Sequence, residues 1–312
     1  MPTLFILSFK MKSPLKIFFG KTLLFVIPVF IFFEVLFSLG FYPIITNSTL
    51  FDLKMIAIQK KHLKKVKLLS IGSSINLYDL NSDIIVQNFN MPYYNLGSWG
   101  LQITDMKLLL KSFVNEYHPK YVILCSSFTD FISPPNDTYL NYINTSYFVR
   151  DNFPEVFYYK DYHSIHQLIR RKYKAYPLNF DSWGGAALNF TLKDIIWNKW
   201  NEHGIFPTKY SEQNYKDLDS LSAFLNRQNI KFIFVQTPIK KSYANTVLSK
   251  QVIQSHFDKC RKIVEGNGGT YLNYYNTTVF TDSLFIDQYH LQGTGAVVLT
   301  KEVVADLKKI IR

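Results

Sequence analysis

Hydrophobic patterning divides the chain into two regimes. Residues 22–42 form one unbroken apolar stretch, TLLFVIPVFIFFEVLFSLGFY, about the 20 residues a helix needs to cross a bilayer. From Val66 onward, short apolar runs alternate with amphipathic segments. The runs at 66–71, 92–96, 121–125, 231–236 and 270–272 have the length and composition of buried parallel strands. Residues 102–117 place Ile103, Met106, Leu109, Leu110, Phe113, Val114 and Tyr117 at helical spacing. Residues 211–227 do the same with Tyr215, Leu218, Leu221, Phe224 and Leu225, and Asn229 supplies a left-handed stop. Further helices are predicted after Ser74, around Ile84–Val86, over 252–264 and over 295–311. This alternation predicts an α/β fold: a flavodoxin-like three-layer α/β/α sandwich with a five-stranded parallel sheet, preceded by one transmembrane helix.

The predicted organisation is a cytoplasmic N-terminus (1–21), the span (22–42), a juxtamembrane connector (43–65) and a catalytic domain (66–312) with an insertion at about 133–207. The span lacks the short core and small-residue cleavage site of a signal peptide, which predicts a retained single-pass anchor in the cell membrane. Lys10, Lys12, Lys16 and Lys21 favour a cytoplasmic N-terminus and an extracytoplasmic catalytic domain. A second group, Lys60, Lys61, Lys64, Lys65 and Lys67, flanks the other side. Glu34 falls inside the apolar stretch, where a carboxylate either snorkels to the interface or meets another membrane protein. Residues 53–65 predict a connecting helix with Met55, Ile56, Ile58 and Leu63 apolar and its lysines in solvent or against head groups.

The chain has 312 residues, of which 47% are hydrophobic and 17% aromatic, a composition that excludes disorder. Its formal charge of +12 is concentrated around the apolar segment, so membrane proximity explains it better than nucleic acid, for which no motif is present. Two cysteines are too few for a disulfide framework, and Cys125 in its apolar run predicts a buried free thiol. The insertion is rich in Tyr, Phe, Trp, Asn and Pro and contains the turn-like residues 181–185; substrate contacts and a stabilising aromatic excursion explain it equally well. His163 and His166 have no acidic or thiol partners in the pattern, and neither a metal nor a cofactor is predicted.

The chemistry concentrates at two distant points. The first strand ends in Gly72-Ser73-Ser74, placing a hydroxyl at the carboxyl edge of the sheet. Asp287-Gln288-Tyr289-His290 supplies a carboxylate and an imidazole three residues apart, just before the last helix. A serine hydroxyl needs a base, and the base needs an orienting group; Ser74, His290 and Asp287 suit those roles. Residues 95–100 after the second strand and 126–130 after the third offer donors for an oxyanion. Alternative readings leave Ser74 as a helix cap and His290 as an ordinary polar residue.

A strand-end Ser, a Gly after strand two, a polar residue after strand three and Asp-x-x-His before the last helix resemble the SGNH/GDSL hydrolase superfamily from about Val66 to the C-terminus. The resemblance implies Ser74 as nucleophile, His290 as base, Asp287 as its orienting acid, and an oxyanion hole of Ser74, Gly100 and Thr129. It departs from the family at Ser73, where the family has Asp, and at Thr129, where it has Asn. The anchored Gly-Ser-Ser type is similar to bacterial proteins that O-acetylate exported polysaccharide. That implies an O-acetyltransferase or esterase acting on a cell-surface glycan, with a multi-pass membrane O-acyltransferase as acetyl source. A non-catalytic scaffold of the same pathway and a lipid-directed esterase are the rival readings.

Overall fold

The computed structural model describes residues 14–38, 49–61, 63, 65–134, 180–188, 209–275 and 277–311. Two compact units separate, one of residues 1–45 with 145–170 and the other of 46–144 with 171–312. In the first, helix α1 spans Pro14–Ser38. Its stretch Pro14–Phe32 has mean hydropathy 2.0 and is nowhere buried within the protein, as expected of a single-pass membrane anchor. The described helix reaches back to Pro14, ahead of the predicted residue 22. Pro28 lies inside it. Residues 39–42 and the Glu34 side chain lie outside the described parts.

The second unit opens with α2 (Thr49–Lys61), then β1 (Leu68–Ile71), α3 (Ser74–Asp79), α4 (Ser82–Phe89), β2 (Tyr93–Asn95), α5 (Ile103–Tyr117) and β3 (Tyr121–Ser126). After β3 comes a 3-10 turn (Phe128–Phe131), then α6 (Glu212–Arg227), β4 (Lys231–Gln236), α7 (Val247–Gly266), β5 (Thr270–Asn273) and α8 (Gly293–Ile310). All strand pairs are parallel, in the order β2-β1-β3-β4-β5. Helices α5, α6 and α7 pack together, and α3 and α4 pack with α8, giving the three layers expected. β1 and β3 are buried at every position, which is why they read as unbroken apolar runs. The chain leaves β1 toward β2 on one side and returns to β3 on the other. The carboxyl ends of β1 and β3 therefore form the crevice where such sheets place their ligands.

Local chemistry accounts for the boundaries. Asn81 caps α4 through Ile84 N, and Asn90 ends it in the left-handed region. Asn229 adopts the left-handed conformation after α6. α7 starts at Val247, ahead of the predicted 252, because the Thr246 hydroxyl accepts from Ser249 N at 3.1 Å. Cys125 is a buried free thiol.

Two expectations need correction. The connecting helix runs over Thr49–Lys61, earlier than 53–65. Its lysines are not all solvated or at a membrane face: Lys54 has no exposed surface, among buried Leu50, Phe51, Met55 and Ile58. Of the region at 133–207, only 133–134 and 180–188 are described, and His163 and His166 lie outside them. Residues 180–188 cover the edge strand: Asn95 N donates to Trp183 O at 2.7 Å and Ala186 N to Leu77 O at 3.0 Å. Asp181 Oδ1 accepts from Trp183 N and Gly185 N, closing the turn. In this part of the region the aromatic excursion is architectural, protecting an edge that would otherwise expose unpaired backbone.

Candidate active site

The last turn of β1 is built for close approach. A Cβ on Gly72 would lie 2.1 Å from Cys125 O and 2.5 Å from Asn76 Cβ, so glycine is required where β1 passes β3 into α3. Ser73 caps α3, accepting from Ile75 N at 3.3 Å, and Ser74 begins the helix. Its half-buried hydroxyl stands 2.8 Å from His290 Nε2. Asp287 Oδ2 is 2.7 Å from His290 Nδ1, while its other oxygen accepts from the N–H groups of Tyr289 and His290 at 2.9 and 2.7 Å. That network sets the tautomer: Nδ1–H donates to Asp287, and Nε2 accepts from the Ser74 hydroxyl. The structure thus brings Ser74 to an Asp287–His290 pair more than two hundred positions away.

Burial alone would raise the Asp287 carboxyl, but the His290 ring and the two backbone donors overcome it and hold Asp287 below its ordinary value. Two further buried carboxyls behave oppositely. Burial pushes Asp130 up to about 7, against the hydrogen bonds from Ser73, Ser126 and Ser127 N that favour its ionised form. Burial raises Asp79 well above its ordinary value; the Leu291 N–H lowers it somewhat, and the charges of Asp287 and Asp130 raise it further. The negative charge therefore resides on Asp287, where an imidazolium can use it. Tyr78 meets His290 edge-on at 6.2 Å between ring centres, and the Tyr289 ring lies tilted against it at 4.7 Å. Trp99 Nε1 donates to Tyr78 OH at 2.5 Å.

The three residues expected to bind an oxyanion follow the carboxyl ends of three neighbouring strands: Ser74 opens α3 after β1, Gly100 lies after β2 and Thr129 in the 3-10 turn after β3. The β2 loop is stitched to β1 by Leu96 N to Ser70 O (2.7 Å) and Ser98 N to Gly72 O (3.2 Å), and Gly100 follows with left-handed backbone. Gln102 Nε2 donates to Thr129 O at 3.4 Å, tying that loop to the turn after β3. Sequence reasoning missed Asp130 and Asp79. Asp130 was legible as the acidic partner in the capping box with Ser127. Asp79, at the end of a six-residue helix, carried no signal. Asp130 also bears on the departure at Ser73: the Ser73 hydroxyl is among the groups that lower the Asp130 carboxyl against its burial.

The raised Asp130 value has a sign that can be checked. A carboxyl pushed from 3.8 to about 7 by folding favours the folded state fully below the unfolded value, and that contribution is lost as pH rises toward 7. Asp130→Asn keeps an acceptor without the buried charge. Its melting temperature relative to wild type should be higher at pH 8 than at pH 5; equal differences at both pH values would contradict the assignment.

Comparison with known proteins supplies the remaining context. The model of the DltD protein family matches residues 199–306, a span that includes Asp287 and His290. No curated protein matches the sequence. Among solved structures, a putative acylhydrolase from Bacteroides fragilis is 13% identical, with 84% of this chain and 98% of that chain covered and a TM-score of 0.47. A GDSL-like lipase from Bacteroides thetaiotaomicron is 11% identical, with 84% and 100% covered and a TM-score of 0.45. An acetylxylan esterase from Geobacillus stearothermophilus, as a catalytic mutant, is 11% identical, with 78% and 95% covered and a TM-score of 0.43. The parallel sheet order, the strand-end serine and the Asp-x-x-His block before the last helix make this chain similar to the SGNH/GDSL hydrolase superfamily, with a C-terminal part like DltD.

Proposed function

We propose that this protein is a membrane-anchored serine acyl-transfer enzyme, an O-acetyltransferase or esterase, working outside the cytoplasm on a cell-surface or exported polysaccharide. The observation that carries the reading is the continuous path from Ser74 Oγ through the His290 imidazole to the Asp287 carboxylate. In this reading Ser74 attacks the carbonyl carbon of an acyl donor as its proton passes to His290 Nε2. Collapse of the tetrahedral adduct expels the donor's alcohol, which takes that proton, and leaves an acyl-Ser74 ester. An acceptor hydroxyl or water then gives its proton to His290 and attacks the ester, and His290 returns that proton to Ser74 Oγ as the acylated acceptor leaves. Asp287 holds the ring and stabilises the transient imidazolium. Ser74 N–H, Gly100 N–H and the Thr129 hydroxyl are the donors assigned to the oxyanion.

The polymer acceptor rests on the DltD match, a family concerned with D-alanine esterification of teichoic acids, and on the apolar N-terminal helix. In this reading the anchor keeps the site beside a multi-pass membrane O-acyltransferase that supplies the acyl group. The orientation rests on Lys10, Lys12, Lys16 and Lys21, all ahead of the apolar stretch 22–42.

A fluorophosphonate probe incubated with the full chain in detergent should add once, and peptide mass spectrometry should place it on Ser74. Folded protein that stays unlabelled at millimolar probe would instead favour the scaffold reading. Wild-type membranes given an acetyl donor and isolated wall polymer should yield O-acetyl polymer, whereas fatty acid release from phospholipid vesicles would favour the lipid-directed one.

A further inference from the structure

The fully buried lysine in the connecting helix is the feature that the acyl-transfer reading does not use. Lys54 Nζ donates to the backbone carbonyls of Asn95, at 3.2 Å, and of Gly184. The Phe180 ring lies 4.3 Å from it. Burial lowers its pKa to about 7, opposed by the charge of Asp181. A cation in such a place is costly unless its donors are used, and here the acceptors are two carbonyls that also fix the site's frame.

Asn95 is the hub. Its backbone N–H donates to Trp183 O while its carbonyl takes the lysine. Its side-chain oxygen accepts from Gly97 N at 2.8 Å and from Asn76 Nδ2 at 2.6 Å, and its amide donates to Asn76 O at 2.9 Å. Asn76 belongs to the helix that Ser74 opens, and Gly97 to the loop that ends in Gly100. The strap at 180–188 is equally tight: Gly184 has a φ of +86°, and a Cβ there would lie 2.5 Å from Asn95 O. One ammonium group thus joins the connecting helix, the strap over the sheet edge and the loop beside Ser74.

We infer that Lys54 is a positioning residue, which sets the 95–100 loop against Ser74 by binding the Asn95 and Gly184 carbonyls from helix α2. It touches no substrate. Because α2 follows the apolar N-terminal segment in sequence, displacement of α2 would reach the oxyanion loop through one side chain. The inference rests on Ser74 being the nucleophile.

The test compares full-length Lys54→Met, Lys54→Gln and Met55→Ala with wild type in detergent. Met55 is buried on the same helix, so its truncation weakens α2 docking without touching Asn95. Rates of fluorophosphonate labelling and p-nitrophenyl acetate hydrolysis are normalised to folded protein, and amide exchange is followed at residues 96–100. The Lys54 variants should lose about tenfold to a hundredfold in kcat with KM little changed and with faster exchange at 96–100. Met55→Ala should melt earlier and keep its kcat. A folded Lys54→Gln with wild-type kcat, or an equal kcat loss in Met55→Ala at matched stability, overturns the inference. If neither Lys54 variant folds, Lys54 is a folding determinant and the positioning role fails. Ser74→Ala runs alongside: unchanged labelling there overturns the nucleophile assignment whatever the Lys54 variants do.

Discussion

His290→Ala should lower hydrolysis of a small activated ester by at least on the order of a thousandfold, with KM little altered, because the loss falls on proton transfer in the transition state. The ring is the only group within hydrogen-bonding distance of Ser74 Oγ among the contacts described. Its removal leaves a neutral alcohol as the attacking group. Asp287→Asn should be nearly as damaging for a different reason. An amide nitrogen facing Nδ1 favours the wrong tautomer, with the proton on Nε2. The measurement is steady-state kinetics on p-nitrophenyl acetate, with circular dichroism to establish that the variants fold. A His290→Ala enzyme that retains a tenth of wild-type kcat would remove imidazole from the mechanism.

Gly72→Ala should destabilise the fold severely, by ~3 kcal/mol or more, a fall in melting temperature of roughly 6–12 °C for a domain of this size. The added methyl would sit 2.1 Å from the Cys125 carbonyl oxygen. That oxygen belongs to the sheet backbone and cannot swing aside as a side chain would. Relief requires β1 and β3 to part at the point where the chain turns toward Ser74, so the surviving folded fraction should also label slowly with fluorophosphonate. Thermal melts followed by fluorescence test this; a melting temperature within 2 °C of wild type would contradict the close packing described.

The sequence revealed what depends on periodic burial. β1, β3 and β4 beyond its exposed first residue are buried and so appear as largely apolar runs, while α5 and α6 show one apolar face each. Ser74 and the Asp287–His290 pair were visible because strand ends and loop spacing constrain them. What stayed hidden depends on contacts between distant polar groups. Lys54 looks like any other residue of a lysine-bearing helix, and nothing local announces that two carbonyls await its ammonium. The effects on Asp130 and Asp79 likewise arise from burial, and for Asp79 also from Asp287 and Asp130, carboxyls that the fold draws from distant parts of the chain. Ser73 seemed a defect in the family pattern when judged alone; in the fold its hydroxyl caps α3 and favours the ionised form of Asp130, which follows β3.

Helix α3 is fastened at both ends. At its first residue the Ser74 hydroxyl meets His290, and at its last the Asp79 carboxyl holds Leu291 N at 3.1 Å. Six residues at 1.5 Å each make a rod of about 9 Å, gripping adjacent residues of one loop like the jaws of a caliper. An inserted residue would twist one jaw by about 100° relative to the other, so only one grip would survive. The length of this short rod is therefore as much a requirement of the chemistry as the identity of the serine that starts it.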